Sequence, residues 1–524
     1  MIRIREIGLP PEHSEHQLPY EAARVLKIPN SKIKKLRIVR RSIDARKKPD
    51  VKVVYTVDVA VEGNEQKILK QCGNKRASIA KDTFYRPTKG VISAERPVVV
   101  GFGPAGMFAA LVLALAGLRP IVLERGADAV SRHEKVKAFF DGGELDLNAN
   151  VQFGEGGAGT FSDGKLNTGV SNPRISWILE QFVKAGAGED ILFDAKPHVG
   201  TDVLLHVVQN IRQRIISLGG EVRFQTQVVD LETKDGALTG LKLQNGENMA
   251  CKYALFAVGH SARDTFEMLH NKGLAMEAKP FAMGVRIEHP QKLIDAAQYG
   301  AADLALPPAD YKLVTHLEKD TVYTFCMCPG GYVVAASSEK GGVVTNGMSY
   351  ADRGGENANA ALLVTVNPAE FGSEDPLAGM YWQRSIEQAA YQASGSYFAP
   401  AQLVGDFLDG LPSTGPASVK PTYRPGVHWC DLRSVLPPKI TDALKEALPL
   451  LERNLKGYSF RDAVLTAPET RSSSPVRILR NESRQSSLIG LYPAGEGAGY
   501  AGGIMSAALD GMQSAEKILE MIVK

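Results

Sequence analysis

The sequence predicts an α/β protein, a parallel-sheet core accompanied by two modules of mixed α+β character. Three observations carry this. A β-branched run after Pro97 (Val98–Val100) enters a glycine turn, GFGPAG, then an apolar helical stretch and a second strand ending in Glu124. Near the other end, Leu488–Pro493 runs through AGE into another glycine turn and a final amphipathic helix. The first 96 residues are instead basic, and their apolar positions alternate.

At roughly 150 residues per domain, a chain of 524 residues has room for about three. With 44% hydrophobic and 23% charged residues, disordered and fibrous classes are excluded. The longest apolar run, Met107–Leu118, is shorter than the roughly 20 residues a bilayer span needs. The opening MIRIREIGLPPEHS has no apolar signal core, and five cysteines with two separated by one residue do not read as a disulfide framework. The expectation is a soluble cytoplasmic protein with no membrane partner; the oligomeric state is not readable. The net charge of +3 conceals an asymmetry: residues 1–96 hold 22 Lys and Arg against 11 Asp and Glu, the remainder 39 against 47. A basic front on an acidic body suggests separately built modules.

In the front module, Met1–Ile7 alternates like a strand and residues 18–28 have helical spacing. Lys35–Ser42 and Val51–Val61 alternate around a KKPD turn, and a second helix is expected around residues 64–80. The order β-α-β-β-α points to a ferredoxin-like arrangement. Residues 85–97, with two prolines and a glycine, read as a linker.

The next segment carries the clearest chemistry. Gly101 permits a tight turn, Gly103 lets the backbone approach a pyrophosphate, and Gly106 lets the helix pack on the strand. The first-turn amides around Pro104 and Ala105 face the phosphates. Glu124, 23 residues after Gly101, can accept from an adenosine ribose. Strand, turn, helix and acid stand in register, the Rossmann pattern of dinucleotide binding. Two further literal matches are weaker: Gly154 to Gly159 lacks a preceding strand, and Gly497 to Gly502 has no acid-tipped strand after it. The latter must complete a site begun elsewhere.

The pairing of an early GxGxxG…E with a late strand–AGE–GG–helix resembles the FAD-binding domain of flavoproteins related to glutathione reductase. The resemblance implies that Gly495, Glu496, Gly502, Gly503 and Ile504 meet the ribityl chain, the pyrophosphate and the flavin edge. It also implies that Ala257-Val258-Gly259 crosses the dinucleotide, with Val258 where Thr is usual. The strand and three-stranded meander expected over 219–252 belong to the same pattern; Arg125, Val228 and Val229 join the expected cofactor contacts. Taken whole, the chain resembles FAD-dependent dehydrogenases of unassigned substrate, on GGAGTFSDGKL (156–166), KPHVGTD (196–202), FAMGVRIEHPQ (281–291), FCMCPGGYVV (325–334) and TNGMSY (345–350). The implied architecture is a basic N-terminal α+β domain with linker (1–96), a Rossmann-type FAD-binding domain in two parts (97–280 and 476–524) and an inserted α+β substrate domain (281–475). Gly156, Gly157 and Gly159 would approach phosphate or flavin, with Thr160, Ser162, Asp163 and Lys165 beside them.

The implied function is an FAD-dependent oxidoreductase passing hydride through flavin N5 to or from a small organic substrate, with NAD(P)H as a transient donor. Two alternatives stand beside it: an RNA-modifying flavoenzyme recruited by the basic front, and a non-catalytic flavin-binding protein. Residues 32–52 hold ten Lys and Arg, but few aromatics accompany them, so a solvated face or docking onto the acidic body outweighs nucleic acid. No catalytic acid or base is identifiable. Cys326 and Cys328 would share a strand face as a redox pair, although burial is the simpler reading. Arg286 could orient a carboxylate or simply pair with Glu288 on the same face; His198 is a further candidate. No zinc signature appears, and no metal is expected.

Overall fold

A computed structural model describes residues 1–301 and 304–523. The front module is a four-stranded antiparallel sheet in the order Ile33–Asp44, Lys52–Val61, Ile2–Leu9, Ala77–Ile79. Ile2, Ile4, Val57 and Val59 pack from the sheet against Leu18, Ala22 and Leu26 of helix Leu18–Leu26 and Ile68 of helix Glu65–Cys72. This sequence of elements with this strand order is the ferredoxin-like topology. The helix expected to reach residue 80 stops at Cys72: Asn64 caps its start, Gly73 takes the left-handed conformation at its end (φ 59), and the chain turns into the strand Ala77–Ile79. Residues 84–97 run over the body, where Tyr85 donates to Glu516 at 2.7 Å and the Val91 amide to the Ala116 carbonyl at 2.8 Å.

The central unit is a five-stranded parallel sheet in the order Leu491–Pro493, Ala254–Phe256, Val98–Val100, Ile121–Leu123, Glu221–Arg223. Helix Pro104–Ala116 is apolar on every side because it lies inside the core, packed against helices Thr201–Ser217 and Ile504–Val523. A Cβ on Gly511 would collide with the Ala105 carbonyl, so glycine sets how closely the first and last helices approach. The meander consists of Val228–Lys234, Ala237–Leu243 and Asn248–Ala250.

The chain leaves and rejoins this unit through one antiparallel pair, Met276–Ala278 with Val476–Ile478. Between them lies a seven-stranded sheet centred on Phe281–Pro290 and Asn357–Val366, which pair along ten residues. Met283, Val285 and Ile287 face a core closed by helix Pro438–Glu452. Arg286 and Glu288 share the opposite face, yet they do not pair. Arg286 meets Glu469, whereas Glu288 accepts from Thr422 and Asn357.

Candidate functional site

A cleft of about 230 Å³ opens at the carboxyl ends of the parallel strands, where the sheet leaves its loops free. Three glycine segments far apart in sequence meet there. Gly101, Gly103, Pro104 and Ala105 come from the first turn, Gly157 and Gly159 from the second, Gly495, Gly502 and Gly503 from the third. Ala257, Val258 and Gly259 cross between them; Glu124, Arg125, Val228, Ser162, Asp163, Lys165, Glu496 and Ile504 complete the group of expected residues that line the cleft.

The lining fits an extended anionic dinucleotide. Helix Pro104–Ala116 starts on Gly103 with no side-chain cap, which leaves first-turn amides for an anion. A Cβ on Gly502 or Gly503 would meet nothing within 4 Å, and one on Gly103 would stand 3.6 Å from the Gly157 Cα, so these backbones border open space. The Gly495 turn is fixed from behind: Asp510 Oδ2 accepts from its amide at 2.8 Å while Arg480 and Arg484 hold the same carboxylate.

Four expected contacts lie off the cleft. Gly106 packs instead against the first turn, where a Cβ would collide with the Gly101 carbonyl. Gly156 (φ 84) faces the Thr160 hydroxyl, and Thr160 itself is buried behind the loop, donating to the Glu155 carbonyl at 3.4 Å. Val229 points away from Val228 by strand alternation and is 39% exposed. Glu124 lines the cleft with its acceptors partly engaged: Oε2 takes the Phe102 amide at 2.8 Å, Oε1 the amides of Gly126 at 2.8 Å and Gly154 at 3.1 Å. It therefore ties the first turn to the second. Arg132, fully buried and pushed down to about 10 by that burial, donates to the carbonyls of Asn150, Val151, Glu155 and Gly157 and shapes the second loop from behind.

The opposite wall comes from strands Thr321–Cys328 and Val464–Glu469 of the seven-stranded sheet, the residues just after Glu469, and strand Thr345–Met348 of a separate two-stranded sheet. Phe325, Cys326, Asn346, Glu469, Arg471 and Ser472 line it, and of these only Cys326 stood out in the sequence. A bulge between Phe325 and Cys328 breaks the alternation that would have placed both thiols on one face. Cys326 adopts φ 40 and opens onto the cleft, whereas Cys328 is buried and donates to the Cys326 carbonyl at 3.2 Å. Desolvation in the wall, together with Cys328, pushes the Cys326 thiol up to about 12, and burial raises Cys328 as well. Both are thiols at neutral pH, not the thiolates that exchange requires.

Arg286 stands behind this wall, fully buried. Its Nη2 donates to Asn359 Oδ1 at 2.6 Å and to the Cys326 carbonyl at 2.8 Å, and its Nη1 reaches both Glu469 oxygens at 3.3 Å. His198 also lies off the cleft, its ring nitrogens each 3.2 Å from a backbone carbonyl, those of Asp163 and Ala351. Burial lowers its pKa, with Arg353 adding to the effect. His260, which the sequence marks more readily as a structural than as a functional histidine, and Ser261, which it does not mark, both line the cleft. Burial and the cations Arg471 and Arg263 push His260 down to about 3, so it is neutral. Glu496, 3.9 Å from its Nε2, is pushed up to about 7 by burial against the opposing pull of Lys279. Gln227 and Thr226, just before Val228, were equally silent in the sequence because polar residues at a strand's start are ordinary.

Residues 280–472 match the family described as FAD-dependent protein, C-terminal domain-like, and residues 1–60 match a domain of unknown function. An uncharacterized protein of Clostridium beijerinckii is 48% identical over 527 residues, a match covering 99% of this chain and 98% of that protein. Among solved structures, the flavin-dependent brominase Bmp2 is 13% identical with a TM-score of 0.39, covering 82% of this chain and 79% of its own. Glycine oxidase of Bacillus cereus is 11% identical with a TM-score of 0.31, covering 81% and 97%.

Proposed function

This chain belongs to one family with the Clostridium beijerinckii protein, and on that premise we propose that it is an FAD-dependent oxidoreductase acting on a small organic substrate. The observation that supports this best is the convergence of the three glycine segments on one cleft at the carboxyl ends of a parallel sheet. The match of residues 280–472 to the C-terminal domain of FAD-dependent proteins supports the choice of cofactor.

When bound, FAD supplies two-electron chemistry at flavin N5. The chain's part is to bind, orient and enclose. Amides at the start of helix Pro104–Ala116, and those that follow Gly495 in its turn, would hold the diphosphate; Gln227 and Val228 border the end of the cleft nearest Glu124. The positive end of helix Ile504–Val523 and the ammonium of Lys165 favour negative charge at the other end. Phe325, Cys326 and Glu469 form the wall on which a substrate would lie, and NAD(P)H would approach from the same side as a transient donor.

The visible spectrum of the purified protein, followed by anaerobic titration with NADH and then NADPH, tests the reading. We expect a yellow protein whose flavin, released by denaturation, is FAD, and bleaching of the visible band by one of the two donors. A colourless protein with no extractable flavin overturns the cofactor. Reduction by dithionite alone overturns the nicotinamide donor and leaves substrate-driven reduction.

A further inference from the structure

The sheet-side wall of the cleft carries charges of both signs. Lys165 reaches in from the second loop, 24% exposed, and donates to the Met327 carbonyl. Its nearest acid, Asp163 at 3.7 Å, is already paired with Arg353 at 2.8 Å. Arg286 lies directly behind. Glu469, the final residue of strand Val464–Glu469, is 3% exposed, and what it exposes faces the cleft. Both its oxygens take hydrogen bonds from one nitrogen of Arg286 at 3.3 Å, long for charge-assisted bonds, while Arg286 gives its shorter bonds to Asn359 and Cys326. A buried carboxyl so loosely held has acceptor and donor capacity left for something in the cleft.

We infer that this wall binds a small organic carboxylate between Lys165 and Glu469, and that Glu469 engages it as the neutral acid. The inference rests on the reading of the cleft as a flavin site, which makes this wall the substrate side. Two carboxylates cannot both stay ionised at hydrogen-bond distance, so the bound anion drives a proton onto Glu469 and the O–H then donates to it. The proton comes from solvent, and no other bond is made or broken.

Burial has already raised Glu469 to about 7, with Arg286 opposing, so the proton is available near neutrality. The surrounding groups do not compete for it. Arg286 faces Glu469 from strand Phe281–Pro290, and Cys326 and Cys328, from strand Thr321–Cys328 on the far side of Asn357–Val366, are neutral thiols. Arg471, two residues on, is held by Glu387 and Ser338. Strand Thr345–Met348 adds only the uncharged Asn346, and Asp163 is committed to Arg353. Glu496 also titrates near neutrality but lies beside His260 on the nucleotide side.

Calorimetric titration of the purified protein with benzoate, in two buffers of different ionisation enthalpy between about pH 6 and 8.5, tests this, with the visible spectrum recorded on the same sample. We expect about one proton taken up per benzoate near pH 8 and an affinity falling towards tenfold per pH unit above about 7. Benzamide, the uncharged isostere, should bind at least about tenfold more weakly, as should benzoate to Lys165→Met. Glu469→Gln should bind benzoate with no proton uptake. The inference is overturned by equal binding of benzamide, by wild-type binding without proton uptake, by uptake that persists in Glu469→Gln, or by no heat with benzoate at about pH 6. If Glu469→Gln does not fold, the wild-type proton count and Lys165→Met decide. A missing flavin band would defeat the flavin reading separately, because the heat of benzoate binding is read without it.

Discussion

Two glycines of the same turn have opposite structural roles. Gly103 borders the cleft with nothing closer than 3.6 Å to its missing Cβ, whereas Gly106 has the Gly101 carbonyl in that place. Gly103→Val should therefore fold with a nearly unchanged Tm and purify without flavin, its branch occupying the diphosphate path. Gly106→Val should lose the fold, because strand and helix cannot separate without opening the buried core. A yellow Gly103→Val would show that the diphosphate lies elsewhere. Glu469 gives the residue scale a pH signature. Its carboxyl is raised from 4.5 to about 7, so between those values the folded state keeps a proton that the unfolded state has lost. Stability from this group falls as pH rises through that window and is level above it. Relative to Glu469→Gln, the wild type should lose about 2.5 kcal/mol of unfolding free energy between pH 5 and 8, measured by denaturant titration.

The elements that announced themselves were those with local causes. Strand Val98–Val100, its turn and its helix are contiguous, and each residue type there has a steric or electrostatic reason readable from its neighbours. The early stop of helix Glu65–Cys72 at Gly73 was not read, since the helix was expected to run on to about residue 80, and the short strand after it pairs with the edge that Ile2–Leu9 offers. The far wall of the cleft was not legible. Glu469 and Arg471 reach it because strand Val464–Glu469 pairs with Phe281–Pro290 across about 180 residues, and no local pattern encodes that. The bulge at Cys326 likewise defeats a period-two reading. Asp510 shows how an unremarked residue can hold an element: from helix Ile504–Val523 it fixes the Gly495 turn and accepts from two arginines. Asp510→Ala would leave Arg480 and Arg484 without their partner in a largely buried site. It should cost about 3 kcal/mol or more in unfolding free energy and reduce flavin retention in the fraction that folds. An unchanged Tm would mean that the turn is held by other contacts.

At the scale of the whole molecule, the charge asymmetry is partly accounted for by the chain itself. The basic strand Ile33–Asp44 lies along residues 193–195: Arg41 exchanges backbone hydrogen bonds with Phe193 and Ala195, both at 2.8 Å, and its guanidinium pairs with Asp194 at 2.6 and 2.9 Å. Arg3 and Arg37 converge on Asp58 and Asp82 within the front module. Val51 enters the core of the seven-stranded-sheet unit, and Lys48 donates to the Ala297 carbonyl at 2.5 Å. The front module is thus docked by a polar strand contact and an apolar anchor, which engage this part of the basic run within the chain itself. The Arg41–Asp194 pair is partly exposed, so it should stabilise the docked state by no more than about 1 kcal/mol. Arg41→Glu turns attraction into repulsion at that contact while leaving the Val51 anchor. We expect faster proteolysis within residues 80–97, with flavin content and the reductive titration unchanged, because the cleft draws no lining residue from the front module. Loss of flavin in Arg41→Glu, with the core still folded, would show instead that the basic module takes part in holding the cofactor.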